Sequence, residues 1–137
     1  MTRSPIRFEA ALYDRDKHEV FIKSSWVRGA REAWEVLASR LRRPETRCLV
    51  AHIPGDPDSF LGWCAVDIKA PALIWMYSRH LQGTVRRRGL ATSLVLMAGL
   101  DLAQPTNCLF WSPAAEAMAR NGYRLIYTPS LGRKAAA

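Results

Sequence analysis

The residues whose types and spacing could do chemistry are Tyr77-Ser78-Arg79 and, across a short basic loop, Arg86-Arg87-Arg88-Gly89-Leu90-Ala91-Thr92. An apolar strand precedes this segment and an apolar helix follows it, which places the loop at a helix N-terminus. Unpaired N–H groups and the helix dipole concentrate about half a positive charge there. Gly89 and Ala91 are small enough to let a diphosphate approach the backbone, and the arginines add planar bidentate donors. The segment reads as an anion cradle.

The elements that must position it follow from periodicity and breakers. Ile6–Tyr13 suggests a first strand, closed by the charged turn Asp14-Arg15-Asp16. Asp16 and Glu19 fit a capping box that opens a helix running to about Val27. From Ala30 the apolar positions Ala33, Trp34, Leu37, Ala38 and Leu41 recur at three and four, predicting a second helix that Pro44 stops. Strands follow at Cys48–Ile53, Phe60–Ile68 and Leu73–Ser78, the first two separated by the turn Pro54-Gly55-Asp56-Pro57-Asp58. The third is apolar on both faces and so central. Gly89–Leu102 reads as a buried helix, Cys108–Ser112 as a strand, Pro113 as the first turn of a helix ending at Asn121-Gly122, and Tyr123–Tyr127 as a last strand. The expected architecture is one α/β domain, residues 1–131, a mixed central sheet flanked by helices in the order β-α-α-β-β-β-α-β-α-β, with 132–137 a flexible tail.

Composition sets the class. Hydrophobic residues make up 49% of 137 and charged residues 23%, enough apolar material for a core and unlike a disordered basic tail. The longest apolar run, Leu94–Leu100, is seven residues against the ~20 of a membrane span, and no apolar leader opens the chain. Cys48, Cys64 and Cys108 are odd in number and lie in apolar runs, so they are expected to be reduced core thiols in a cytoplasmic protein. The net charge of +8 comes from sixteen arginines and four lysines, which suits an anionic partner. Arg40, Arg42, Arg43 and Arg47 are expected to form a solvated face, and any nucleic-acid contact to be weak, because exposed interleaved aromatics are missing. His18, His52 and His80 show no ligand spacing with the cysteines, so no metal site is expected.

Arg86-Arg87-Arg88-Gly89-Leu90-Ala91 resembles the Q/R-x-x-G-x-G/A motif of the GCN5-related N-acetyltransferases (GNAT). Ser112-Pro113-Ala114-Ala115 and Asn121-Gly122-Tyr123 resemble the N-x-A-A and G-F segment downstream in that family. The likeness covers Ile6 to Tyr127. It is closer to GNAT-like proteins of tailed bacteriophages, through Phe21–Arg28, Gly55–Asp58, Trp75-Met76-Tyr77 and Tyr127-Thr128-Pro129. The resemblance implies an N-acetyltransferase that binds acetyl-CoA through Tyr77, Arg79, Arg86, Arg87, Arg88, Gly89, Leu90, Ala91, Thr92 and Ser112. It implies residence in a host cytoplasm or a virion. The sequence departs from the family in three places. The loop between Arg79 and Arg86 is long, the family's acidic Tyr falls on Met118 or Ala119, and Leu73–Ser78 carries no carboxylate. Proton transfer then falls to Tyr127, Tyr77 or Asp67, with Ser112 and Tyr123 as further donors. A protein that keeps the fold without turnover, or a nucleic-acid-modifying enzyme on it, are the rival readings.

Overall fold

The computed structural model describes residues 7–79 and 89–131. Short apolar runs separated by Pro, Gly and Asp fold into β1 (Glu9–Leu12), β2 (Thr46–Ile53), β3 (Asp56–Asp67), β4 (Ala72–Ser78), β5 (Thr106–Cys108) and β6 (Leu125–Tyr127). Between them lie α1 (Arg15–Ala30), α2 (Trp34–Leu41), α3 (Leu90–Met97) and α4 (Pro113–Arg120). The six strands form one mixed sheet in sequence order, antiparallel from β1 to β4 and parallel from β4 to β6. Among the described residues the element order is the expected one. The tail at 132–137 lies outside them, and no helix among them is long and apolar enough to cross a membrane.

The helices divide between two faces. Ile22 and Trp26 of α1 and Leu37 of α2 pack with Val50, Trp63, Ile74, Trp75, Leu109 and Phe110 on one side. Leu90, Leu94 and Val95 of α3 and Ala115 and Met118 of α4 pack with Leu49, Cys64, Leu73 and Met76 on the other. Each buried layer removes apolar surface from water at about 25 cal/mol per Å². Trp63 is fixed inside the first layer because its Nε1 donates to Ser25 Oγ at 2.7 Å, and Ser25 Oγ in turn donates to the Phe21 and Ile22 carbonyls of α1.

Several expected boundaries move, each for a local reason. The capping residue of α1 is Asp14, not Asp16: its Oδ1 accepts from the Asp16 N–H at 2.9 Å. The reciprocal bond comes from His18, whose Nδ1 accepts the Asp14 N–H at 2.9 Å, while Glu19 pairs with Arg15 at 3.1 Å. Ala30 ends α1 rather than opening α2, because Arg31 takes a left-handed conformation with φ 63°. The turn after β2 is only Pro54-Gly55, with Gly55 at φ 78° and Ile53 already paired with Asp56. α3 stops at Met97 instead of Leu102. Gly99 at φ 102° closes a Schellman motif, with Leu100 N–H bonded to Val95 O and Gly99 N–H to Leu96 O. β5 precedes the predicted Cys108–Ser112 run, since the chain leaves the sheet immediately after Leu109 N–H bonds to Leu73 O at 2.9 Å.

Gly62 lies opposite Ser78, where a Cβ would collide with the Tyr77 carbonyl. Gly62→Ala is expected to cost about 3 kcal/mol or more, because backbone has to yield; urea unfolding against the wild type measures it. A second expectation concerns His18, which is buried and neutral. Its pKa is held below the usual 6.5, chiefly by burial and with Lys17 and His52 adding to the effect, while Asp14 opposes it. The unfolded chain therefore takes up a proton at a higher pH than the folded one. Stability should be full above 6.5 and decline as pH falls below it. His18→Gln keeps an acceptor for Asp14 and should flatten that part of the pH–stability curve.

Candidate functional site

The parallel ladder between β4 and β5 lasts only two residue pairs, Ala72–Asn107 and Leu73–Cys108. A β-bulge coincides with its end. Val66 pairs with Leu73 and Ala65 with Trp75, so Ile74 is the extra residue. Ile74 and Trp75 consequently face the same α1/α2 layer, with Leu73 and Met76 on the other side. Bulges bend a strand and end pairing beside functional sites. Here the bulge turns β4 away from the chain that leaves β5. From Ile74 to Ser78, β4 keeps β3 on one edge and has no strand on the other among the described residues. The wedge below the opening is aromatic: Trp26 meets Trp75 edge-on at 5.1 Å between ring centroids and Phe110 at 5.0 Å. Gly29 admits it, since a Cβ there would lie 2.9 Å from Trp75 Cζ2.

α3 packs against β3 and β4 and begins with Gly89 at φ 77°, ψ 15°. The first intrahelical bond runs from Ser93 N–H to Gly89 O at 2.9 Å. Gly89 has no side chain to cap this end and no acidic residue lies in the first turn, so among the described residues no side chain caps the Leu90, Ala91 and Thr92 amides at the positive pole. Leu90 is buried against the α3/α4 layer, while Gly89 is open and a Cβ there would meet nothing within 4 Å. The left-handed backbone, not crowding, is what requires glycine. Arg86, Arg87 and Arg88 of the cradle, and His80, lie outside the described residues.

The predicted proton-transfer residues do not converge. Asp67 pairs with Ala72, at the start of β4 and so at the opposite end of the strand from Ser78. Its Oδ1 accepts the Lys69 and Ala70 amides at 2.9 and 3.1 Å, so it is a turn residue and not a base for this site. Tyr77 is half-buried on the α1 side, edge-on to Phe21 at 5.9 Å. Tyr127 is 53% exposed on β6, level with Cys108, and leans on Trp111 at 6.0 Å. Trp111 packs against the other layer and donates from Nε1 to Glu116 at 2.7 Å. Ser112, expected to touch a cofactor, is 2% exposed, and its Oγ accepts the Ala115 N–H at 3.0 Å to cap α4. Tyr123 packs on the α3/α4 layer and Met118 lies inside it. Arg79 is exposed where β4 ends, with its N–H bonded to Leu61 O at 2.7 Å.

Charge is used differently from the expectation too. Arg40 is not on a solvated face but 5% exposed, its Nη2 donating to Leu131 O at 2.8 Å; burial, then Arg43, lower its pKa. Arg47 donates to Ala98 O, at the C-terminus of α3. The spacing gave no sign of either carbonyl, since both partners are far away in sequence. The sequence reading also missed a shallow cleft of about 250 Å³ between α1 and α2, lined by Tyr13, Trp34 and Leu41 with Arg15 and Arg42 at its rim. Trp34, on the apolar stripe predicted for the second helix, is only partly buried there.

The cysteines are free and buried. Burial pushes the Cys64 and Cys108 thiols up to about 12 and raises Cys48 as well, with the neighbouring Cys64 contributing to the latter. Among the described residues no three His, Cys, Asp or Glu side chains gather as a metal ion would need. No family model, curated protein or solved structure matches the chain. What the fold and site define is therefore a class: a mixed α/β domain whose central sheet parts and, among the described residues, a helix N-terminus with no side-chain cap.

Burial and a raised pKa both oppose thiolate formation at Cys108 near neutral pH. All three thiols should resist a disulfide reagent at neutral pH in the native protein and react at once in denaturant. Fast labelling of one thiol in the folded state would show that its layer opens.

Proposed function

We propose that the chain is an acyl-CoA-dependent N-acyltransferase of the GNAT type, transferring acetyl from acetyl-CoA to an amine by direct attack. The observation that carries this reading is the vacated edge of β4 beside an uncapped helix headed by Gly89. The Leu90, Ala91 and Thr92 amides would hold the coenzyme diphosphate, with Arg79 and the loop arginines adding charge. The open edge from Ile74 to Ser78 offers backbone groups to the rest of coenzyme A and can polarise a thioester carbonyl without a special side chain. The resemblance of Arg86–Ala91 to the family motif supports the same assignment. The closer likeness of Phe21–Arg28, Gly55–Asp58, Trp75-Met76-Tyr77 and Tyr127-Thr128-Pro129 to phage-encoded members supports a phage origin, with residence in a host cytoplasm or a virion.

A second reading is a protein that binds coenzyme A without turnover. It draws on Met118 or Ala119 standing where the family has its acid, neither able to donate a proton, and on the separation of Tyr77, Asp67 and Tyr127. Losing a general acid costs about a hundred- to ten-thousandfold, yet a thioester is already activated, so slow transfer is the expectation. Nucleic-acid contact at net charge +8 would be weak and salt-sensitive.

Acetyl-CoA at a hundredfold excess over Kd should stabilise the fold by about 2.7 kcal/mol, seen as a rise in Tm. Gly89→Asn tolerates the left-handed backbone and should still bind. Gly89→Glu puts bulk and like charge against the phosphates and should abolish the shift. No rise with wild-type protein at millimolar acetyl-CoA removes the coenzyme assignment. With binding established, an amine screen that releases no thiol above background favours the second reading. A slower rate in Tyr127→Phe would assign the acid to that hydroxyl.

A further inference from the structure

The shallow cleft between α1 and α2 is a concavity that the acyltransferase reading does not use. It lies over the β1 and β2 side of the sheet, away from the parted β4 and β5. Tyr13 forms one wall directly after β1, and its N–H bonds to Cys48 O on β2 at 2.9 Å. The opposite wall is α2, where Trp34, Ala38 and Leu41 are spaced four and three residues apart and so share one face. Ala38 is the small member of that stripe and leaves the space open. The volume of about 250 Å³ is below the ~300–1,000 Å³ of pockets for drug-sized ligands, and suits a body of about one ring.

The walls are fixed before anything binds. Tyr13, Trp34 and Leu41 are partly buried against the α1/α2 layer. The Tyr13 ring leans on His18 at 6.3 Å, and His18 Nδ1 accepts the Asp14 N–H. The charges at the rim are unequal. Arg15 Nε donates to Glu19 Oε2 at 3.1 Å, so the one carboxylate lining the cleft is already paired. Asp14 is spent on capping α1, and Asp16, Lys17, Glu35 and Glu45 stand near in the chain without lining the cleft. Arg42 is exposed at the C-terminus of α2 and has no ion pair among the described residues. The Tyr13 hydroxyl has no hydrogen-bond partner among them either. Burial, then Glu19, raises its pKa, so it remains a neutral donor at physiological pH.

An alkylammonium ligand would meet one unpaired cation and no free carboxylate here. A carboxylate would meet the planar donors of Arg42. Two aromatic residues in the walls favour a flat ring over an aliphatic body of the same size. We propose that this cleft binds a small aromatic carboxylic acid, its ring against Tyr13 and Trp34 over Ala38 and its carboxylate on the Arg42 guanidinium. The site is separate from the coenzyme site and stands whether or not that reading holds.

Isothermal titration of the full chain with phenylacetate tests this, with benzylamine and cyclohexylacetate as comparisons. Phenylacetate should bind saturably at one site, in the millimolar range or tighter. Benzylamine, with the same ring and the opposite charge, should not bind at those concentrations. Cyclohexylacetate should bind roughly threefold or more weakly, having no ring face to stack. Arg42→Gln should weaken phenylacetate by roughly tenfold, and Ala38→Phe should abolish its binding by filling the cleft. Neither change should alter the acetyl-CoA thermal shift. Arg42 is exposed, so its Gln variant keeps the test open if Ala38→Phe fails to fold. The proposal is overturned by the absence of saturable phenylacetate binding, by benzylamine or cyclohexylacetate binding as tightly, or by an affinity unchanged in Arg42→Gln. Each of these outcomes leaves the coenzyme reading untouched.

Discussion

The parting of β4 from β5 is the constraint on which the rest of the structure depends. A parallel ladder that ended in the middle of a flat sheet would leave a row of buried, unpaired backbone groups. The bulge at Ile74 resolves this by turning β4 away, and Trp26, Trp75 and Phe110 fill the space under the turn. With the lower part of the wedge solid, the edge above stays open. Gly29 and Gly62 serve the same geometry, one by making room for the Trp75 ring and the other by letting β3 pass close to Tyr77.

That arrangement also sorts the side chains into two sets. Positions on β4 after the bulge alternate between the α1/α2 layer, which takes Trp75 and Tyr77, and the α3/α4 layer, which takes Met76. The open edge lies between an aromatic surface on one side and the N-terminus of α3 on the other, and β3 beside it also packs against both helix layers.

Several polar residues that could be mistaken for catalysts are consumed by structure. Ser112 caps α4, Asp67 folds a turn, Asp14 and His18 cap α1 reciprocally, and Arg40 and Arg47 bond to main-chain carbonyls. Each lowers the cost of an orphaned backbone group in or beside the core. The cysteines sit in the layers as small apolar residues.

The sequence by itself determined the element types, their order and the helix N-terminus at Gly89. These follow from local rules: period-2 and period-3.6 patterning, Pro and Gly breakers, and the small residues after the basic loop. Apolar positions such as Leu37 and Leu94 were legible as core for the same reason. The sequence could not show that Gly99 stops α3 within an apolar run, because the run's hydrophobicity continues through Leu100 and Leu102. Nor could it show that the strand near Cys108 ends before Leu109, since Leu109 and Phe110 are as apolar as any strand residue. Their burial is against α1 rather than in a ladder. Tertiary structure alone decided the bulge, the parted edge, the dispersal of Tyr77, Asp67 and Tyr127, and the burial of Arg40. All four depend on which distant segments meet, and pairing between residues far apart in the chain leaves no local periodicity to read.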